Sequence, residues 1–329
     1  MVNNLLLVSN SKTRDQPKVF LGYCEKEITE HFAGVETVLF IPYAGPSAID
    51  ELILSGKRKA GEKLEIPKYE ERMGSYTKFM KQRFEQMGFE LRGIQDGENA
   101  RKAVNNAEAI YVGGGNTFDL LRKLQGTGVT GHIKERVKDG MPYLGVSAGT
   151  VIAGMNIATS NDNAKPVGDL DALQFIPFGI KPHYLDKIVV TDEERAKVME
   201  INPRIVDLID HQGESHKDRI MEYHHDFPYP VIGLREGGIL KIKGDEIKLL
   251  GTGEARIFYR EDFVNGYEPA KVYKPGDLLD HILYSDYARK DSPRGTFRSR
   301  EIIHQAETGP DSWLASLSEF ERYLYLIGG

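Results

Sequence analysis

A serine set among small residues, Gly145-Val146-Ser147-Ala148-Gly149, follows the apolar run Pro142–Val146 and precedes the small-residue stretch Ala148–Gly154. A strand that turns sharply into a helix at such a serine leaves the hydroxyl exposed at the strand's carboxyl end, with the next N–H on the same side. The chemistry this fits is attack on a carbonyl, with Ser147 as nucleophile and the Ala148 N–H as a donor to the oxyanion. The competing reading is a tight structural turn. A second segment, Tyr111-Val112-Gly113-Gly114-Gly115-Asn116-Thr117, closes the apolar run Ala109–Val112 and opens an amphipathic stretch through Phe118, Leu121 and Leu124. Its spacing is neither G-x-G-x-x-G nor G-x-x-x-x-G-K-[ST], so a phosphate loop is the weaker reading, and the Gly115 N–H is the candidate second oxyanion donor.

A nucleophilic serine needs a base, and the base needs an orienting carboxylate. Of nine histidines, His183 stands out, because Pro182 stiffens the chain before it and the apolar run Leu173–Ile180 precedes it. For the carboxylate, Asp162 in Ser160-Asn161-Asp162 competes with Glu236 in Gly233-Leu234-Arg235-Glu236-Gly237-Gly238. Asp162 has the chain order of α/β-hydrolases, Glu236 the strand-end position where groups of open α/β sheets gather. Spacing alone leaves both open. His211, His216, His224 and His225 lie close in sequence, yet no H-x-x-x-H or Glu-bearing helix frame joins them, so no metal and no cofactor is expected.

The elements that must hold these residues follow from hydrophobic periodicity. Short apolar runs at Asn4–Ser9, Thr37–Pro42, Ala109–Val112 and Pro142–Val146 alternate with amphipathic stretches, the pattern of an α/β fold with a largely parallel sheet. Phe20, Leu21, Cys24, Ile28 and Phe32 predict one buried helix stripe, and Tyr76, Phe79, Met80, Phe84 and Met87 another. Val231–Leu234, Ile239–Ile242 and Ile247–Leu250, joined by turns such as Lys243-Gly244-Asp245, predict antiparallel hairpin at one edge of the sheet. The 329 residues carry a net charge of −6, which leaves no basic field for nucleic acid. A lone Cys24 excludes an intrachain disulfide and fits a reducing, cytoplasmic compartment, and no run of 18 apolar residues points to a membrane.

Taken together, several linked segments resemble the peptidase E family, the α-aspartyl dipeptidases that remove an N-terminal aspartate from dipeptides. They are Leu7-Val8-Ser9-Asn10-Ser11, Phe40-Ile41-Pro42-Tyr43-Ala44-Gly45, Val112–Phe118, Gly145–Gly149, Ser160-Asn161-Asp162, Pro182-His183 and Gly233–Gly237, spread over roughly residues 3 to 275. The resemblance implies a Ser147-His183-Glu236 triad, with Gly115 and Ala148 supplying the oxyanion hole. It also implies a three-layer α/β sandwich, similar to class I glutamine amidotransferases, with a mostly parallel central sheet and antiparallel edge hairpins. Asn116 is then a hydrogen-bonding partner of substrate, and Asp162 a partner for its α-ammonium.

One departure bears on specificity. Family members carry Gly-Glu-Thr-Arg after the histidine, the arginine serving the substrate aspartate; here the segment reads Gly213-Glu214-Ser215-His216. Imidazole is a poorer carboxylate partner than guanidinium, so the aspartyl preference is placed in doubt, and Lys217 or Arg219 are the nearby cations. The expectation is a serine exopeptidase acting through an acyl-enzyme on dipeptides or small N-terminal amides. The alternatives are a cyanophycinase-like β-aspartyl peptidase and a non-catalytic ligand-binding protein on the same fold. The catalytic domain is expected over residues 1–275, with inserts at Leu54–Arg72 and Tyr184–His211 and a C-terminal extension over 276–329. Inserts and extension offer substrate restriction or a homodimer contact. The expected partner is a small peptide substrate, with no nucleic acid and no membrane.

Overall fold

The structure is a computed structural model; it describes residues 4–13, 19–45, 68–97, 99–163, 167–186, 215–264 and 271–284. The strands are β1 (Asn4–Val8), β2 (Thr37–Ile41), β3 (Glu90–Gly93), β4 (Ala109–Val112), β5 (Tyr143–Val146), β6 (Gly179–Pro182), β7 (Val231–Leu234), β8 (Gly238–Lys243), β9 (Glu246–Gly251), β10 (Ala255–Phe258) and β11 (Val272–Tyr273). The described α-helices are α1 (Glu25–His31), α2 (Tyr69–Gln86), α3 (Ala100–Asn105), α4 (Thr117–Thr127), α5 (Thr130–Lys138), α6 (Ala148–Val151), α7 (His216–Asp226) and α8 (Arg260–Val264).

Continuous apolar runs such as Leu5-Leu6-Leu7-Val8 have no polar face to give to water, so their strands lie inside, covered on both sides. The main sheet runs β3-β2-β4-β5-β1-β8-β9. The first five strands are mutually parallel, and β8 and β9 add an antiparallel edge. Alternate residues feed two cores. Leu5, Leu7, Leu39, Ile41, Ile110 and Val112 pack under α4 and α5, whereas Leu6, Val8, Val38, Phe40, Ala109 and Tyr111 pack under α1 and α2. This is the expected three-layer sandwich. The β8–β9 hairpin turns at Gly244-Asp245, where Gly244 takes φ +61°, as a two-residue loop requires.

Two expectations are corrected. The first helix stripe is not one helix: Leu21 takes φ +56°, Gly22–Cys24 is a single 3-10 turn, and only α1 is α-helical. All five stripe residues are nonetheless buried, because burial rather than helicity sets that period. Val231–Leu234 is not part of the edge hairpin. It is the third strand of a second sheet, β11-β10-β7-β6, antiparallel to β10 and parallel to β6. The inner face of this sheet, with Ile180, Ile232 and Ile257, joins the core under α4 and α5. Tyr184, Val231 and Phe258 pack on its outer face with Ile220 and Tyr223 of α7.

Of the first expected insert, residues 54–67 lie outside the described residues, while Tyr69–Arg72 form the first turn of α2. Of the second, Tyr184–Asp186 are described and 187–211 lie outside. Leu279 and Ile282, at the start of the expected extension, are fully buried beside β9, and Leu279 donates its N–H to Ile247 O at 2.8 Å. Residues 285–329, with the apolar stretch Trp313–Leu324, lie outside the described residues. No helix among the described residues is long and apolar enough to cross a membrane.

Candidate active site

The chain leaves β1, β4, β5, β6 and β7 at their carboxyl ends, and the segments that follow meet at one edge of the two sheets, the usual place for chemistry in open α/β folds. Ser147 follows β5 with φ +51° and ψ −107°, a region that costs an L-residue about 1–3 kcal/mol and holds only where the surroundings enforce it. The enforcement is steric. A Cβ on Gly149 would lie 2.1 Å from Val112 O, and one on Gly145 would lie 2.4 Å from Gly149 O. The turn is therefore pressed against β4 and against itself, which only glycine allows.

Ser147 Oγ lies 2.9 Å from His183 Nε2, and His183 Nδ1 lies 3.3 Å from Glu236 Oε1. The strand register explains the meeting: β6 and β7 pair in parallel with Pro182 opposite Leu234, so the residues just beyond each strand are neighbours. The His183 and Glu236 side chains are about half exposed, at 45% and 48%. In this arrangement the hydroxyl can donate to Nε2 while Nδ1–H donates to the carboxylate, which orients a base for proton removal.

Behind the serine is an open cavity of about 210 Å³; Gly115, Ala148 and Thr117 line it beside Ser147 and His183. Gly115 takes φ +139°, and a Cβ there would lie 1.8 Å from Gly45 O. Among the described residues no hydrogen bond takes up the N–H of Gly115 or of Ala148. Two donors at such a spot suit an oxyanion, where one donor is worth about 3–4 kcal/mol of barrier.

Other expected residues divide. His216 lines the cavity; its Nδ1 accepts the Leu185 N–H at 3.0 Å, so the ring proton of this form is on Nε2. Arg219 does not line it, and pairs with Glu222 at 3.3 Å. Asn116 is the N-cap of α4, its Oδ1 accepting from Asp119 N at 2.9 Å, and it does not line the cavity. Asp162 falls on the 3-10 segment Ala158–Asn163, with its side chain outside the described part. Lys181 was missed: it lines the cavity from β6, and is 4% exposed. Spacing does not mark it, since His183 lies beyond the end of β6 with φ +56° and strand alternation does not carry through to it.

The remaining described histidines serve elsewhere. Burial pushes His31 and His224 down to about 4 and keeps both neutral; His31 Nε2 donates to Tyr143 O at 3.1 Å. His132 bonds Asn105, and His281 stacks on Tyr273. Among the described residues no three His, Cys, Asp or Glu side chains group so as to hold a metal ion.

A "probable alpha-aspartyl dipeptidase" of Drosophila melanogaster is 33% identical over 261 residues, 78% of this chain and 89% of that one. Peptidase E of Streptomyces coelicolor is 30% identical over 280 residues, 84% of this chain and 94% of that one. A crystal structure of a peptidase from an acI-B1 actinobacterium aligns with a TM-score of 0.49 and 18% identity, over 85% of this chain and 97% of that one. The family model described as Peptidase family S51 matches residues 5–250, the span that holds both sheets' site-bearing strands. The chain belongs to peptidase family S51, and is a serine-type peptidase related to the dipeptidases called peptidase E.

Proposed function

We propose that this protein hydrolyses dipeptides, or other small amides bearing a free N-terminal residue, through an acyl-enzyme on Ser147. His183 Nε2 takes the hydroxyl proton as Ser147 Oγ attacks the scissile carbonyl, and Glu236 holds the imidazole and offsets its charge. The oxyanion is received by the N–H groups of Gly115 and Ala148. The C–N bond then breaks, His183 returns the proton to the leaving amine, and water repeats the sequence to release the acyl group. The observation that carries the reading is the 2.9 Å contact of Ser147 Oγ with His183 Nε2, with Glu236 behind the ring.

The cavity of about 210 Å³ beside Ser147 and His183 offers room for a small substrate. Lys181 lines that cavity beside the neutral His216, and an ammonium group there suits an acidic side chain, in keeping with the name of the Drosophila relative. We infer that Lys181 takes up the part that the resemblance gives to an arginine at position 216. A cytoplasmic setting, with the buried Cys24 reduced, and a homodimer formed through the inserts or the extension, belong to the same reading.

The test is hydrolysis of Asp-X, Glu-X, Asn-X, Ser-X and Ala-X dipeptides by wild type and Ser147→Ala, followed by release of free amine. Cleavage of Asp-X that Ser147→Ala lowers by about four or more orders of magnitude is expected. Ser147-independent cleavage overturns the acyl-enzyme reading; cleavage of no dipeptide overturns the dipeptidase reading and returns the ligand-binding alternative.

A further inference from the structure

Three consecutive residues at the end of β1 each bond a different segment of the proposed triad. Val8 O accepts the Ser147 N–H at 3.0 Å. Ser9 Oγ accepts the His183 N–H at 2.9 Å, and donates its own proton to Leu234 O at 3.0 Å. Asn10 Oδ1 accepts the N–H of Gly237, the residue after Glu236, at 2.8 Å. We propose that Ser9 and Asn10 are positioning residues of the active site, Ser9 acting through His183 and Asn10 through Glu236. The inference rests on the triad assignment above.

His183 takes φ +56°, a left-handed conformation that a residue with a Cβ holds only when its neighbours enforce it. Two bonds do so, one on either side of the strained bond set: His183 N–H to Ser9 Oγ, and Tyr184 N–H to Leu234 O at 3.1 Å. Ser9 Oγ also donates to that same Leu234 O, so one hydroxyl ties the end of β6 to the end of β7. Ser9 is fully buried and Asn10 is 3% exposed, so water is poorly placed to replace either side chain. Asn10 is itself held, with Tyr23 Oη donating to its Oδ1 at 3.0 Å and its Nδ2 donating to Lys12 O. Amide orientation is thereby set with Oδ1 toward Gly237. The chain between β7 and β8 turns within Arg235-Glu236-Gly237, and without the Asn10 bond the Gly237 N–H loses its only partner among the described residues.

Neither side chain lines the cavity, so neither contacts substrate there. Their effect is expected in kcat rather than in KM, because misplacing a base by about 1 Å costs about 100-fold in rate while leaving substrate contacts in place. Both positions are short polar residues directly after a buried strand, which by itself reads as an ordinary strand end.

The experiment is a double-mutant cycle on an N-terminal aspartyl anilide, with melting temperatures recorded for every variant. Ser9→Ala is expected to lower kcat by about 10- to 100-fold with KM within about twofold. In the His183→Ala background it is expected to change the residual rate by less than about twofold, since a residue that acts through another has no effect once that one is gone. Asn10→Ala with Glu236→Ala gives the second cycle, and stands alone if Ser9→Ala does not fold. Equal losses in both backgrounds, or an unimpaired kcat in Ser9→Ala and Asn10→Ala, overturn the inference. If Ser147→Ala hydrolyses the anilide as wild type does, the triad reading fails instead, so the two failures are told apart.

Discussion

Ser147 and Lys181 show how differently single residues announce themselves. The elbow was legible because its constraint is local: a turn that brings Gly149 within 2.1 Å, at Cβ distance, of the β4 backbone admits only glycine. Gly149→Ala is accordingly expected to destabilise by more than the about 1–3 kcal/mol typical of overpacking, as read by urea unfolding, since the clash is with backbone rather than a movable side chain. Lys181 was not legible as a ligand group, because a lysine on a strand is most often solvated, and only the cavity tells otherwise. Replacing it by Met is expected to lower the preference for Asp-X over Asn-X by about tenfold or more in kcat/KM, tenfold being about 1.4 kcal/mol. An unchanged ratio would remove Lys181 from substrate recognition. His216→Arg is expected to raise kcat/KM on Asp-X, because a guanidinium binds carboxylate in bidentate fashion whereas the imidazole Nδ1 is already engaged by Leu185.

Elements with their own periodicity were read well, and elements defined by their neighbours were not. Ala109–Val112 and Val231–Leu234 are legible to the residue, yet the sheet that the second joins is not, because an apolar tetrapeptide carries no mark of its pairing partner. The segment after β6 behaves as one pinned unit. Tyr184 N–H is held by Leu234 O, Leu185 N–H by His216, and Asp186 by an ion pair to Arg256 at 2.8 Å and a short one to Arg235, next to Glu236. Burial raises the Asp186 pKa, but the Tyr184 hydroxyl and the two guanidinium groups outweigh it and hold the carboxyl below its ordinary value. A carboxyl so depressed contributes stability above the usual carboxylate range and loses it as pH falls through the lowered value. Asp186→Ala is expected to release this segment, raising KM for dipeptides several-fold through His216 while kcat changes less, as steady-state kinetics would show. A fall in kcat with KM unchanged would place the effect on the triad instead.

At the scale of the whole molecule, two buried histidines contribute to the acid limb of stability. His31 and His224 are held near 4 by burial, while an unfolded chain titrates them near the ordinary value of about 6.5. Between those values the unfolded state binds more protons, so stability rises with pH across the window and is lost on acidification, by up to about 1.4 kcal/mol per pH unit for each histidine. His31→Gln, which retains a donor for Tyr143 O, is expected to flatten the slope of unfolding free energy between pH 6.5 and 4; an unaltered slope would contradict the account. By itself, the sequence determined what local chemistry decides: the alternating apolar runs and hence a covered sheet, the hairpin at Gly244-Asp245, the elbow at Ser147, and the set of histidines from which a base had to come. Between Asp162 and Glu236 the residues alone left the choice open, and it was the family resemblance that favoured Glu236. Tertiary structure alone decided which distant strand ends touch. His183 and Glu236 meet because β6 pairs in parallel with β7 in a register that sets Pro182 against Leu234, and the end of β1 meets the Ser147 and Glu236 segments because β1 lies between β5 and β8, reaching His183 of the other sheet through the Ser9 side chain. Such pairing is made by backbone groups that nearly all residues carry alike, so side-chain types along one strand do not name its partner.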